Sequence, residues 1–190
     1  LLNGGAVRGE IAADSPITRR LVSNILPFTD DTVSYLQLQG SDVIKVLENA
    51  IGYVTQEVPL NPYLQGAYPY ASGLKFSVDL TANEGTSKVS NVQVLSSRTG
   101  EYVPIDESSS YWIVTNEWIA NGGDGYLTDV TPKQVVPTKL SYTSRFEDFL
   151  TELDGYWEPP VMPDEMSTVS FNAEGIPVAS IADVEPIPET

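Results

Sequence analysis

Apolar residues recur at three- and four-residue spacing through Val43, Leu47, Ala50, Ile51 and Val54, which predicts a helix with one buried face. Gly40 ahead of it reads as a turn and Ser41 as the N-cap. A second stripe, Phe146, Phe149, Leu150 and Leu153, predicts another amphipathic helix. Ser144 and Glu147 stand there at capping-box spacing, and Gly155 supplies the stop. A shorter helix is predicted between Pro16 and Leu26, with Thr18 as its cap. It ends at Pro27, because the residue before a proline is pushed out of the helical region. Thr32 to Gln39 reads as a strand. Leu74, Phe76, Val78 and Leu80 alternate with Lys75, Ser77 and Asp79, so this strand has one buried and one wetter face. Turn chemistry at Asn83 to Gly85 and a returning strand from Val89 to Leu95 make a hairpin. Tyr111 to Thr115, apolar almost throughout, suits a central strand. Leu60 to Gly73, with Pro62, Gly66, Pro69 and Gly73 among tyrosines, reads as a loop in which Tyr63 and Tyr70 pack. Together these elements predict an α+β domain, a mixed β-sheet flanked by helices.

Composition then sets the domain count. At 190 residues and 41% hydrophobic content the chain can bury one sizeable core. From Gly155 to Thr190 there are six prolines and no Lys or Arg, the last basic residue being Arg145. The expectation is therefore a single domain over residues 1–154 and an acidic, extended, Pro-rich C-terminal tail or linker over 155–190. The formal charge of −16, from 26 acids and 10 bases, argues against a nucleic acid polymer or an anionic membrane as partner. With no Cys and no His, disulfides, thiol catalysis and the usual zinc and copper ligands are excluded. No apolar run approaches the roughly 20 residues of a membrane-spanning helix. The N-terminus opens directly on a motif, so a signal peptide would lie upstream and the chain is expected to continue there.

Two glycine clusters are candidates for ligand contact, Asn3-Gly4-Gly5 and Gly122-Gly123-Asp124-Gly125. Neither fits the dinucleotide fingerprint or the Walker loop, and each alone reads as a turn. Phe28 alone reads as a core residue. Arg8 and Asp124 alone read as surface charges or a mutual ion pair, and Arg19-Arg20 and Asp30-Asp31 as solvated charges.

Read jointly, the order changes the picture. Asn3-Gly4-Gly5-Ala6-Val7-Arg8 is followed, twenty residues after the Arg, by Phe28 of Leu26-Pro27-Phe28. Then come Gly66-Ala67-Tyr68-Pro69, Ser72-Gly73-Leu74-Lys75-Phe76, and Trp118 to Tyr126 with its Asn121-Gly122-Gly123-Asp124-Gly125 core. From Asn3 to Tyr126 this resembles the C-terminal, substrate-recognition domain of the 5'-nucleotidase / UDP-sugar hydrolase family. The resemblance implies that Phe28 and Trp118, the latter often Phe in the family, lie on opposite faces of a nucleobase. It implies that Asp124 accepts from the ribose hydroxyls, that Arg8 lies near ribose and phosphate, and that Asn3 reaches the nucleoside. Gly66, with Tyr68, falls in a loop close to the base.

The same resemblance implies no catalytic residue and no metal ligand in this chain. Two divalent metal ions are expected in a separate N-terminal metallophosphatase domain of the same protein. The implied function is nucleotide recognition for a metal-dependent phosphohydrolase that releases phosphate from nucleoside 5'-phosphates, in an extracytoplasmic setting, with this fragment alone inactive. Two alternatives stay open at this level. One is a 2',3'-cyclic-nucleotide phosphodiesterase or nucleotide-sugar hydrolase; the other is a non-catalytic surface binding or adhesion module.

Overall fold

The computed structural model describes residues 1–12, 15–55, 66–83, 85–153 and 169–172. Residues 60–65 of the predicted Leu60 to Gly73 loop, the stop at Gly155 and most of the 155–190 tail lie outside them. The order is β1 (Leu2–Asn3), a 3-10 turn (Gly4–Ala6), α1 (Arg19–Ile25), β2 (Thr32–Gln39), α2 (Gly40–Val54), β3 (Pro69–Tyr70), β4 (Leu74–Asp79), β5 (Val89–Leu95), β6 (Tyr102–Pro104) and β7 (Ser110–Asn116). There follow α3 (Glu117–Ala120), a second 3-10 turn (Gly123–Gly125), β8 (Gln134–Ser141), α4 (Tyr142–Glu152) and β9 (Val169–Asn172). The fold is α+β as predicted, with its strands divided among three sheets: β1-β3, β7-β2-β8 and β6-β5-β4-β9. The last of these is mixed, since β9 pairs parallel with β4 while its other pairs are antiparallel.

α2 holds the larger sheets together. Val43, Val46 and Ala50 join the core made with Leu36 and Leu38 of β2. One position further round, Leu47 and Ile51 pack on Phe76 and Val78 of β4 and on Val89 and Val92 of β5. The apolar stripe is therefore wide enough to bury α2 against both sheets rather than against one. Glu48 on the same helix accepts from the backbone N–H groups of Lys88 (3.1 Å) and Val89 (2.8 Å), which fixes the start of β5. A third cluster, Val22, Ile25 and Leu26 with Tyr142, Phe146 and Leu150, packs α1 on α4.

Several expectations change. Helix α2 begins at Gly40 itself, with Gln39 as N-cap and no capping side chain. The Gly40 and Ser41 N–H groups donate instead to the carbonyls of Ser109 (2.8 Å) and Glu107 (3.0 Å), a long-range cap that no local pattern announces. Helix α4 begins at Tyr142, three residues of sequence earlier than Ser144 implies, because Ser141 Oγ accepts from Ser144 N. β7 is an edge strand, not a central one: its outward residues Trp112 and Val114 are half exposed. They line up with Tyr35 and Val136 on the outer face of the sheet, so the apolar run reflects an apolar outer stripe. Tyr70 is likewise exposed rather than packed, in edge contact with Tyr68 at 4.9 Å.

A side chain at Gly40 would collide with the backbone of Asp106 and Glu107, so Gly40→Ala must separate α2 from the β6–β7 connection. Denaturant unfolding should show a loss of about 1–3 kcal/mol; an unchanged midpoint would contradict this role for the close approach.

Candidate functional site

Both chain segments that flank the β2–β7 pair turn into one cleft. Across that pair Val33 stands opposite Asn116, so the residues entering β2, Phe28 to Asp31, lie beside those leaving β7, Glu117 and Trp118. Phe28 follows the end of α1 directly. Leu26 is buried, its carbonyl accepts from Thr143 Oγ1 (3.0 Å), and Pro27 stops further helix. The ring is thereby left 44% exposed. Arg8 is held to the same element by its backbone, N–H to Ile25 O at 2.7 Å, and its guanidinium lies over the Phe28 ring at 5.5 Å from the centroid. No ion pair joins it to Asp124 among the described residues.

Trp118 stands on the short helix α3, whose buried Ile119 roots it in the core. Its indole, 55% exposed, rests against Gly123, where any Cβ would fall inside the five-membered ring's contact envelope. Asp124 follows with φ 52 and ψ 21, a left-handed conformation that Asp tolerates better than most residues, between Gly122 (φ 85) and Gly125 (φ 71). Tyr126 anchors this turn. It is fully buried, donates its hydroxyl to Ala67 O at 2.7 Å, and its carbonyl accepts from Asn49 Nδ2 of α2 at 3.1 Å. Burial, then the Asp124 charge, pushes the Tyr126 phenol strongly upward, so the hydroxyl stays a donor. Because Ala67 follows Gly66, the same bond seats Gly66 beside Gly5, whose backbones pack together.

The cleft has a volume of about 530 Å³ and is lined by Asn3, Arg8, Phe28, Gly66, Trp118 and Asp124. All six residues singled out from the sequence are thus brought together. Tyr68 stays outside the lining; its carbonyl accepts from Gly4 N at 2.8 Å, and burial and neighbouring Tyr70 push its phenol up to about 12. Sequence reasoning missed Asp31, Asn116, Glu117 and Asn121, which also line the cleft.

Asp31 is no solvated charge. It is half-buried, and Oδ1 accepts from Trp118 N–H at 3.3 Å. Burial raises its carboxyl above the ordinary range, the Glu117 charge adds to this, and hydrogen bonds from the Trp118 and Glu117 backbone and the Asn116 amide work the other way. Asn116 could have been found as a polar residue ending an apolar strand three positions before Ile119, an N-cap signature. Its side-chain oxygen accepts from Ile119 N–H at 3.1 Å.

Chemically, two exposed aromatic faces, acceptor carboxylates and a single guanidinium suit a ligand with a planar ring and hydroxyl groups. The sequence has neither His nor Cys, and no group of three or more His, Cys, Asp or Glu among the described residues could hold an ion.

A family model described as the 5'-nucleotidase C-terminal domain matches residues 1–130. Among curated proteins, the NAD 5'-nucleotidase of Haemophilus influenzae is 32% identical over 126 residues, 66% of this chain and 20% of that protein. A snake venom 5'-nucleotidase of Macrovipera lebetinus is 31% identical over 130 residues, 66% of this chain and 30% of that protein. The crystal structure of a 5'-nucleotidase precursor from Thermus thermophilus superposes with a TM-score of 0.72 and 31% identity, over 90% of this chain and 30% of that one. The Haemophilus influenzae NAD nucleotidase structure gives 0.73 and 29%, over 90% and 29%. The chain therefore spans between a fifth and a third of the length of these relatives.

Replacing Gly123 by Ala should drive the Trp118 indole off its seat. With Trp112 and Trp157 both replaced by Phe, the emission of Trp118 should change on introducing Gly123→Ala; superimposable spectra with and without that substitution would contradict the contact.

Proposed function

The chain belongs to the 5'-nucleotidase family, as its C-terminal domain, and on that footing we propose that it is the nucleotide-recognition part of a longer metal-dependent phosphohydrolase acting on nucleoside 5'-phosphates. The observation that carries this reading is the gathering of Phe28, Trp118, Asp124, Asn3, Arg8 and Gly66 around one cleft. In this proposal the base slides between Phe28 and Trp118. Stacking of this kind contributes about 1–3 kcal/mol per base and tolerates base identity. Asp124 accepts from the ribose hydroxyls, and Asn3 lies behind it on the nucleoside side. Arg8 swings from the Phe28 ring to the phosphate, where its fork of donors suits bidentate binding.

Among the described residues the cleft lining holds one cation, Arg8, against three carboxylates, Asp31, Glu117 and Asp124. Such a balance favours the neutral base and sugar over the phosphate, so most of the phosphate's charge must be met by groups outside it. We assign those groups, and the metal ions of the family, to a companion domain of the same protein. The residues of this chain supply binding and orientation, which hold the phosphorus in line for attack. The Haemophilus influenzae relative is named for NAD; a dinucleotide offers the same base and ribose, so the cleft would receive its nucleoside end in the same way. No helix among the described residues is long and apolar enough to cross a membrane, and a relative from snake venom supports an extracytoplasmic setting.

Calorimetric titration of this chain with adenosine tests the reading. Phe28→Ala and Trp118→Ala should each weaken binding by one to two orders of magnitude, given about 1–3 kcal/mol per stacked face. Unchanged dissociation constants in both variants would remove the stacking model.

A further inference from the structure

We propose that Asn116 is a positioning residue that locks the aromatic wall of the cleft to the carboxylate facing the sugar. It is 2% exposed, at the last position of β7. Its oxygen caps α3, the helix carrying Trp118, by accepting from Ile119 N–H at 3.1 Å. Its Nδ2 donates to Asn3 Oδ1 at 3.1 Å. Asn3, 5% exposed, passes the connection on: its own Nδ2 donates to Asp124 Oδ2 at 2.7 Å. A continuous relay, Ile119 to Asn116 to Asn3 to Asp124, thus runs along the cleft lining.

The direction of this relay is set by its ends. A backbone N–H can only donate and an ionised carboxylate can only accept, so each amide between them has one satisfying orientation. One side chain therefore touches the support of the Trp118 wall and, through Asn3, of the carboxylate. Asp124 needs such support, because it stands in left-handed backbone on a glycine-flanked turn. Among the described residues Asn3 provides its one side-chain hydrogen bond, at Oδ2, leaving Oδ1 for the ligand. A carboxylate so held keeps a fixed distance from the base slot; released, it can rotate and lose its aim at the sugar.

The inference rests on the reading of Asp124 as acceptor of the ribose hydroxyls, and its test separates the two. Dissociation constants for adenosine and 2',3'-dideoxyadenosine are measured on this chain, and their ratio reports recognition of the hydroxyls. In the parent the ratio should favour adenosine by about tenfold or more, as for hydrogen bonds to a charged group. Asp124→Asn should bring it close to parity. Asn116→Ser keeps a capping oxygen for α3 but cannot reach Asn3, and Asn3→Ala cuts the next link without touching the cap. Both should reduce the ratio at least threefold, on the order of half the hydrogen-bond contribution. Neither should reduce it further when combined with Asp124→Asn. A parent ratio preserved in Asn3→Ala and in folded Asn116→Ser, while Asp124→Asn loses it, overturns the relay and leaves the site reading standing. A ratio untouched by Asp124→Asn overturns both.

Discussion

The register of β2 against β7 is the constraint on which the cleft depends. Val33 opposite Asn116 places the Phe28 turn and the Trp118 helix side by side at one end of the strand pair. A slip of one residue would send Leu36 and Leu38, now in the core, to the outer face and separate the two aromatic walls. What holds the register is burial: α2 covers the inner face of β2 with Val43, Val46 and Ala50. The same helix reaches the second sheet through Leu47 and Ile51. Packing chosen by apolar periodicity therefore sets the distance between two residues that are themselves exposed.

Around that fixed end, the cleft uses backbone that is individually unfavourable. Asp124 carries a positive φ, and the surrounding turn survives because Tyr126 is buried beneath it with its hydroxyl satisfied at Ala67. The glycines serve different ends. Gly122 and Gly125 adopt positive φ, whereas Gly123 makes room for the indole of Trp118. The Gly-Gly-Asp-Gly run is thus a turn, as its composition alone implies, and also the seat of an aromatic wall. Both readings hold at once.

Much of this was legible in the residues. The α2 stripe, the alternation in β4, the returning β5 and the Thr18 cap of α1, which accepts from Leu21 N at 3.2 Å, follow from local periodicity and capping chemistry. The six cleft residues were reachable only through the joint spacing of three motifs, since each motif alone is an ordinary turn. What stayed hidden depends on distant partners. The start of α2 is set by carbonyls of Glu107 and Ser109, far along the chain, and the edge position of β7 by which strands happen to flank β2. Asp31 looked like one of two solvated acids, and only the approach of Trp118 N–H shows its place in the wall. Asn116 and Asn3 are connected across 113 positions, a link that no local pattern encodes.

The central claim is that this cleft receives a nucleoside, and mapping amide shifts of the isotopically labelled chain during titration with adenosine tests it most directly. Perturbed signals should cluster at the Trp118 indole N–H and the backbone of Asn3, Phe28, Gly123 and Asp124. Perturbations centred instead on the apolar outer stripe at Tyr35, Trp112 and Val114, or none at millimolar ligand, would contradict it.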